Sequence, residues 1–357
     1  MDQITKKQRL TASCNDHSIS STPTGKSLSN LLDWLRCNGA IGLDAGRFCF
    51  KGSDDECGGS LGGFAARDFS IGEVLFSIPL SCILSLSNTS DSQITGLVRE
   101  AARALGDSKL VTSELLIWLT MIQEVTDERN FFYPFLRSLD RQSPSPLSWS
   151  QDLAATLEGT NMSTMTSSFS SIEKHSHFLT EARNWAMKAG RDSSCICAES
   201  FNLESLIWAR GHYLARRYPG TFSSAESYEK SKREDEGDAD GHILISDDGR
   251  ERGMMNLGAL VPLLDILNHN PDREWLKFDV SNGCLNVICN YDIKEGSEIF
   301  SNYGSLSNEM LLFAYGFCLE NNEDDAMTLQ MMGIDSSPGE RRNTTPLIHP
   351  RPSVRLT

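Results

Sequence analysis

An α+β fold of small β-sheets interrupted by a helical insertion follows from three features of the chain. Short β-prone runs broken by glycine occupy residues 58–79, apolar residues recur at helical spacing between about residues 91 and 218, and β texture returns after Pro262. A chain of 357 residues can bury a large core, and its length suggests two or three compact units rather than one.

Taken in order, residues 1–26 are polar and Ser/Thr-rich, carry Lys6, Lys7 and Arg9 beside Asp2 and Asp16, and lack the apolar run of a secretory signal. A disordered tail is expected there. Residues 27–90 form the first half of the folded unit. They open with Ser27-Leu28-Ser-Asn-Leu31-Leu32-Asp-Trp34-Leu35, apolar at helical spacing behind serine caps, with Gly39 as terminator. From Gly58 the texture is that of β-hairpins, with Gly72-Glu73 separating two short runs. The helical insertion spans residues 91–218 and includes Ser113-Glu-Leu-Leu-Ile-Trp118-Leu-Thr-Met-Ile122 and Phe201-Asn-Leu203-Glu-Ser-Leu206-Ile207-Trp208; within it His175-Ser-His177 reads as a solvated helix face. Residues 219–255 are expected to be an acidic mobile loop, since ten acidic residues face five basic ones between Ser223 and Arg252, with almost no apolar periodicity. The second half, residues 256–320, holds Leu276-Lys-Phe-Asp-Val280, Ser281-Asn282-Gly283 and Cys284-Leu-Asn-Val-Ile-Cys289, a hairpin closed by a tight Asn-Gly turn. Residues 321–357 are rich in breakers and are expected not to pack.

Lysine and arginine number 33 against 48 aspartates and glutamates, a net charge of −15. Binding nucleic acid by phosphate neutralisation is therefore disfavoured. No apolar run approaches the roughly 18–20 residues of a membrane span, so a soluble, monomeric protein is expected. The ten cysteines are scattered, several in apolar contexts (Cys82, Cys289, Cys318), which fits a reducing compartment. The cytoplasm or nucleus is the expected location, with the chloroplast as the alternative raised by the Ser/Thr-rich start. Cys195-Ile-Cys197 has no second pair at ligand spacing, so no metal is expected.

Leu260-Val-Pro-Leu-Leu-Asp-Ile-Leu-Asn-His269 is an apolar run ending in two polar side chains, so the run can be buried while Asn268 and His269 face a ligand. Downstream follow Glu295-Gly-Ser-Glu298-Ile-Phe-Ser-Asn-Tyr303-Gly304 and Ser307-Asn-Glu-Met-Leu-Leu-Phe-Ala-Tyr315-Gly-Phe317. A competing pattern exists. Gly58-Gly-Ser60-Leu-Gly62 formally matches a nucleophile elbow, with Asp265 and His269 in the order of an α/β-hydrolase triad. An elbow needs an apolar strand before it and a helix after it, whereas Lys51-Gly-Ser-Asp-Asp-Glu-Cys57 precedes and a β-prone run follows. The same context argues against a phosphate or dinucleotide loop.

In the order and spacing of these segments the chain resembles SET-domain methyltransferases of the Rubisco large-subunit methyltransferase type, a group that includes actin-histidine and non-histone lysine methyltransferases. The resemblance spans residues 28–320 and is most specific at 262–269 and 295–317. It implies a SET-domain fold in which the Asn-His and Tyr-bearing segments cross as a pseudoknot. It also implies that S-adenosyl-L-methionine binds on one side while the target side chain enters a narrow channel from the other. By the same resemblance Gly59, Ser60, Leu61, Arg216, Asn268 and His269 hold the cofactor. Asp265, Phe278 and Tyr315 line the target pocket, and Tyr303 is the active-site tyrosine. The implied activity is methyl transfer to a lysine of a protein substrate, histone or non-histone. The alternatives are a catalytically weak SET-fold binding or scaffold protein and a protein-histidine methyltransferase.

Three departures from the family pattern carry expectations of their own. The first strip commonly reads Glu-Gly-x-Gly-Leu, whereas Gly59-Ser60-Leu61-Gly62-Gly63 has no leading acid and puts Gly63 where a large aliphatic stands, so weakened cofactor affinity is expected. Near Phe278 many relatives place a tyrosine, which implies a target pocket one hydroxyl short. Relatives continue into a helical substrate-binding domain, while this chain ends about forty residues after Phe317; a truncated substrate-binding domain is expected.

Overall fold

The computed structural model describes residues 7–8, 25–52, 61–88, 92–162, 169–234 and 258–326. Most of the expected tail at 1–26, the strip residues Gly59 and Ser60, the acidic stretch 235–257 and the end from 327 onward lie outside the described residues.

Helix α1 (Gly25–Cys37) buries Leu31 and Leu35 and is stopped by Gly39 at φ +95°. Strands β2 (Phe48–Gly52) and β3 (Leu61–Ala65) pair antiparallel, with Phe50 opposite Gly63. Strand β4 (Val74–Pro79) does not join them. The two runs either side of Gly72-Glu73 therefore belong to different sheets instead of forming the expected local hairpin. Partners more than 200 residues away decide this, such as the Ile71 N–H donating to Asp292 Oδ1 at 2.9 Å.

The insertion carries helices α2 (Gln93–Leu105), α3 (Ser113–Val125), α4 (Tyr133–Leu136), α5 (Gln151–Ala155), α6 (Phe169–Lys188) and α7 (Leu203–Arg216). Thr112 caps α3, its hydroxyl accepting from the Leu115 N–H at 3.1 Å. Every residue of α3 from Leu115 through Ile122 is buried, as a helix apolar on all sides must be, and α2, α4 and α7 pack around it. On α6 the buried set Ile172, His175, Leu179, Ala182 and Ala186 falls on one helical face. His175 is thus a core residue, edge-on to Trp118 at 5.9 Å and pushed toward the neutral form by burial, whereas His177 faces solvent. Only half of the expected solvated pair is solvated.

After α7 come β5 (Arg217–Tyr218) and α8 (Ala225–Glu234), followed by β6 (Ala259–Leu260), which pairs with β5. Residues 225–234 were expected within a loop. A single buried aromatic, Tyr228, anchors them by donating its hydroxyl to the Phe278 carbonyl, and one anchor leaves no apolar period to read.

The second half supplies β7 (Asn268–His269), β8 (Lys277–Ser281), β9 (Cys284–Ile288), β10 (Glu298–Ser301), α9 (Asn308–Tyr315) and β11 (Cys318–Leu319). Strand β1 (Lys7–Gln8) pairs with β11. Asn282 at φ +53° and Gly283 at φ +73° make the predicted two-residue turn between β8 and β9. The resulting sheets are β2-β3-β10-β7 and β4-β9-β8, over one large apolar core that also takes in the inserted helices.

Candidate active site

The site is built where β10 runs between β3 and β7. β10 pairs antiparallel with β3 (Ile299 opposite Gly63) and parallel with β7 (Phe300 opposite Asn268, Ser301 opposite His269). Parallel neighbours cannot be joined by a tight turn. Here the chain leaves β7, makes the β8–β9 hairpin in the other sheet, and returns as β10, which carries Tyr303 back beside His269.

Asn268 is buried, and its Nδ2–H donates to Glu298 Oε1 at 2.7 Å and toward the Leu61 carbonyl at 3.4 Å. Gly62 makes this possible. A Cβ there would lie 2.5 Å from Glu298 Oε1 and 3.0 Å from Asn268 Nδ2, and one at Gly63 would lie 2.8 Å from Leu267 Cδ2. Leu267 thus fills the volume that an aliphatic residue at 63 would need.

His269 accepts the Tyr303 N–H on Nδ1 at 3.0 Å, and its ring stacks on Tyr303 at 5.0 Å. Tyr303 in turn stacks on Tyr315 at 4.7 Å and donates its hydroxyl to the Leu267 carbonyl at 2.8 Å. Burial raises the pKa of both phenols, that of Tyr315 to about 12, so both stay protonated at neutral pH. Both residues nevertheless remain half-buried as a whole.

Arg216 ends α7 beside Asp265. Its Nη1–H donates to the Asp265 carbonyl at 3.2 Å, and its Nε lies 3.9 Å from Asp265 Oδ2. The Nε–H also donates to His212 Nδ1 at 3.3 Å, which makes His212 Nε2 the protonated nitrogen, donating to the Asp140 carbonyl at 2.9 Å. His212 is fully buried, and burial together with Arg216 holds it neutral. Burial likewise pushes the Asp265 carboxyl up to about 6 against the opposing pull of Arg216, and its Oδ1 has no hydrogen-bond partner among the described residues. Leu263, two residues earlier, holds φ +69°, a conformation that costs a β-carbon-bearing residue about 1–3 kcal/mol. The strain lies in the turn that presents Asp265.

Of the residues singled out in the sequence, Asn268, His269, Tyr303 and Tyr315 come together, with Leu61 at their edge and the Arg216–Asp265 pair alongside. Phe278 on β8 sits one aromatic layer back, against Phe222 at 4.8 Å and Tyr218 at 6.4 Å. Three groups had been given no role. Glu298 holds Asn268, Asp140 and His212 hold Arg216, and the Tyr218 hydroxyl donates to the Leu264 carbonyl at 3.1 Å with Ser301 Oγ 3.4 Å away. Only Glu298 left a local signal, as the acid two residues after Gly296 opening a β-alternating run.

The SET domain family model matches residues 61–304, a stretch that begins at β3, ends just after Tyr303 and contains both crossing strands. The chain belongs to the SET-domain family. Among SET relatives it is 24% identical to Protein-lysine N-methyltransferase EFM1 of Saccharomyces cerevisiae over 335 residues, covering 86% of this chain and 52% of that protein. It is 25% identical to N-lysine methyltransferase SETD6 of Mus musculus over 320 residues, covering 87% and 59%. It is 20% identical to the Actin-histidine N-methyltransferase of Xenopus tropicalis over 317 residues, covering 86% and 46%. The chain therefore spans about half the length of the curated relatives it matches. The fold is also that of the SET domain of LSMT crystallised with methyllysine and AdoHcy, with a TM-score of 0.59 at 19% identity, covering 84% of this chain and 58% of that one. The SET-domain α+β architecture expected from the sequence is the one observed.

Proposed function

We propose that this chain is an S-adenosyl-L-methionine-dependent methyltransferase that modifies a lysine side chain of a protein substrate. The observation that carries the reading is the parallel pairing of β7 with β10, which stacks His269 on Tyr303 and Tyr303 on Tyr315 beside a buried Asn268. Lysine is favoured as acceptor because relatives named for lysine methylation match at 24% and 25% identity, against 20% for the actin-histidine enzyme. A monomer in the cytoplasm or nucleus, with no nucleic-acid partner, completes the reading.

The residues fit the cofactor. Gly62 lets the Asn268–Glu298 pair close against the β3 backbone where a β-carbon would clash, which fixes the Asn268 amide, and His269 and Arg216 add polar groups beside it; Gly59 and Ser60 precede Leu61 in sequence. S-adenosylmethionine supplies an electrophilic methyl on a sulfonium. The protein's own task is to align an amine with that methyl and exclude water, since in-line displacement depends mainly on alignment. A lysine ammonium, with a reference pKa of about 10.4, must lose its proton to expose the attacking lone pair. The enclosed phenols of Tyr303 and Tyr315 disfavour the charged amine by desolvation. Tyr303, tied to the Leu267 carbonyl, presents a fixed hydroxyl oxygen to orient the neutral amine. Asp265 completes the target side, with Phe278 one aromatic layer behind.

Incubation with methyl-tritiated S-adenosylmethionine and a peptide library carrying one fixed lysine tests the proposal. Label recovered in methyllysine supports it. A chain that binds S-adenosylhomocysteine but labels neither lysine nor histidine in such libraries would instead be a SET-fold binding protein.

A further inference from the structure

Helix α7 ends in a ladder of three polar side chains. Trp208, His212 and Arg216 follow one another at intervals of four residues, so they lie one above another on a single face. The ladder is tied at its base to one acceptor. The Asp140 carbonyl accepts from Trp208 Nε1–H at 3.0 Å and from His212 Nε2–H at 2.9 Å, and the two rings meet edge-on at 5.2 Å. A carbonyl can only accept, so His212 carries its hydrogen on Nε2 and turns a bare Nδ1 toward Arg216. That nitrogen takes the Arg216 Nε–H at 3.3 Å. His212 itself has no exposed surface.

What the imidazole does for Arg216 follows from the donors it leaves. A guanidinium is planar and carries five N–H groups in a fixed fork. One is committed to His212 and one, on Nη1, to the Asp265 carbonyl at 3.2 Å. Among the described residues the remaining three donate to nothing, and the nearest carboxylate oxygens, of Asp140 and Asp265, stay 3.9 Å away. The side chain is 20% exposed, which leaves those donors open to a ligand. With Nε and Nη1 both held, the plane of the fork cannot turn about its stem. A neutral ring on Nε does this without cancelling the positive charge, as a carboxylate in the same place would.

We propose that His212 is a positioning residue for the cofactor, setting the plane of Arg216 so that its uncommitted N–H groups face the one anionic group of S-adenosylmethionine, the carboxylate. The inference rests on the reading of Arg216 as a cofactor-binding residue. His212 touches no ligand and acts only through the guanidinium it holds.

The test is a double-mutant cycle on the full chain, read by calorimetric titration with S-adenosylhomocysteine, which carries the same carboxylate. His212→Leu removes both ring nitrogens, and Arg216→Met keeps an apolar stem without donors. His212→Leu is expected to weaken binding roughly tenfold in the parent and less than about twofold in Arg216→Met, where no fork is left to aim. His212→Asn, whose Oδ1 takes the place of Nδ1, is expected to recover most of that loss although it gives up the bond to Asp140. A histidine that serves only the fold predicts otherwise: equal weakening with and without Arg216, or Asn binding as poorly as Leu. Either result overturns the inference, as does parent-like binding by His212→Leu. Where Arg216→Met binds too weakly to measure, the contrast between Asn and Leu decides alone. Parent-like binding by Arg216→Met contradicts instead the cofactor role of Arg216, and a parent that binds no S-adenosylhomocysteine contradicts the methyltransferase reading itself.

Discussion

The strand crossing and the end of α7 lie side by side but are held by different forces. At the crossing, two short strands set the backbone, and hydrogen bonds and ring stacking do the rest: Asn268 on Glu298, His269 on the Tyr303 N–H, and three stacked rings. At the end of α7 the contacts are among buried charges, with Arg216 between Asp265, Asp140 and a neutral His212. Pairing between β7 and β10 fixes the backbone register that brings Tyr303 beside His269. A cluster of partly buried charge responds to pH, and Asp265 Oδ1 has no hydrogen-bond partner among the described residues. The first arrangement suits alignment, and the second suits binding a charged ligand.

The comparison can be broken at either end. The largest effect is expected from Tyr303→Phe, which keeps both ring stacks and removes only the hydroxyl. Turnover on the lysine library should fall roughly 100-fold while S-adenosylhomocysteine affinity stays within twofold, as loss of alignment predicts. Next comes Gly62→Ala. Its new methyl must displace the Asn268–Glu298 pair, and overpacking of this kind lowers stability by about 1–3 kcal/mol in a denaturant titration.

Asp265→Asn probes the charged side. The carboxyl is raised in the folded protein to about 6, above its ordinary value, so between those two pKa values the folded state holds the proton that the unfolded chain has released. This group's contribution to stability therefore falls as pH rises from about 4 to 6 and is constant above. The stability of Asp265→Asn relative to the parent should rise across that window by about 1–3 kcal/mol, followed by thermal melts at pH 4 and pH 7. A difference independent of pH would show that burial does not disfavour the ionised carboxylate. The smallest effect belongs to Tyr315→Phe, whose ring stack on Tyr303 is unchanged; its stability should stay within about 0.5 kcal/mol of the parent.

What could be read from sequence divides along the same line. The Asn282-Gly283 turn, the helical insertion and the crossing residues Asn268, His269, Tyr303 and Tyr315 were legible, because turn chemistry, periodicity and a characteristic order of segments are local or ordered signals. The partners that hold them were not. Tyr218 lies 46 residues from Leu264 and 83 from Ser301, and Asp140 lies 72 from His212, with no periodicity connecting either. Strands β3 and β4 misled for the opposite reason. Adjacent β-prone runs across a Gly-Glu turn resemble a hairpin, but their distant partners β10 and β9 claim their edges.

The most direct test of the central claim is calorimetric titration of the intact chain with S-adenosylmethionine, beside Asn268→Ala as control. One-site saturable binding that weakens at least tenfold in the control is the predicted result, since the substitution leaves Glu298 without its amide donor. No binding by the intact chain, or equal binding by both, would contradict a cofactor site at the β7–β10 crossing.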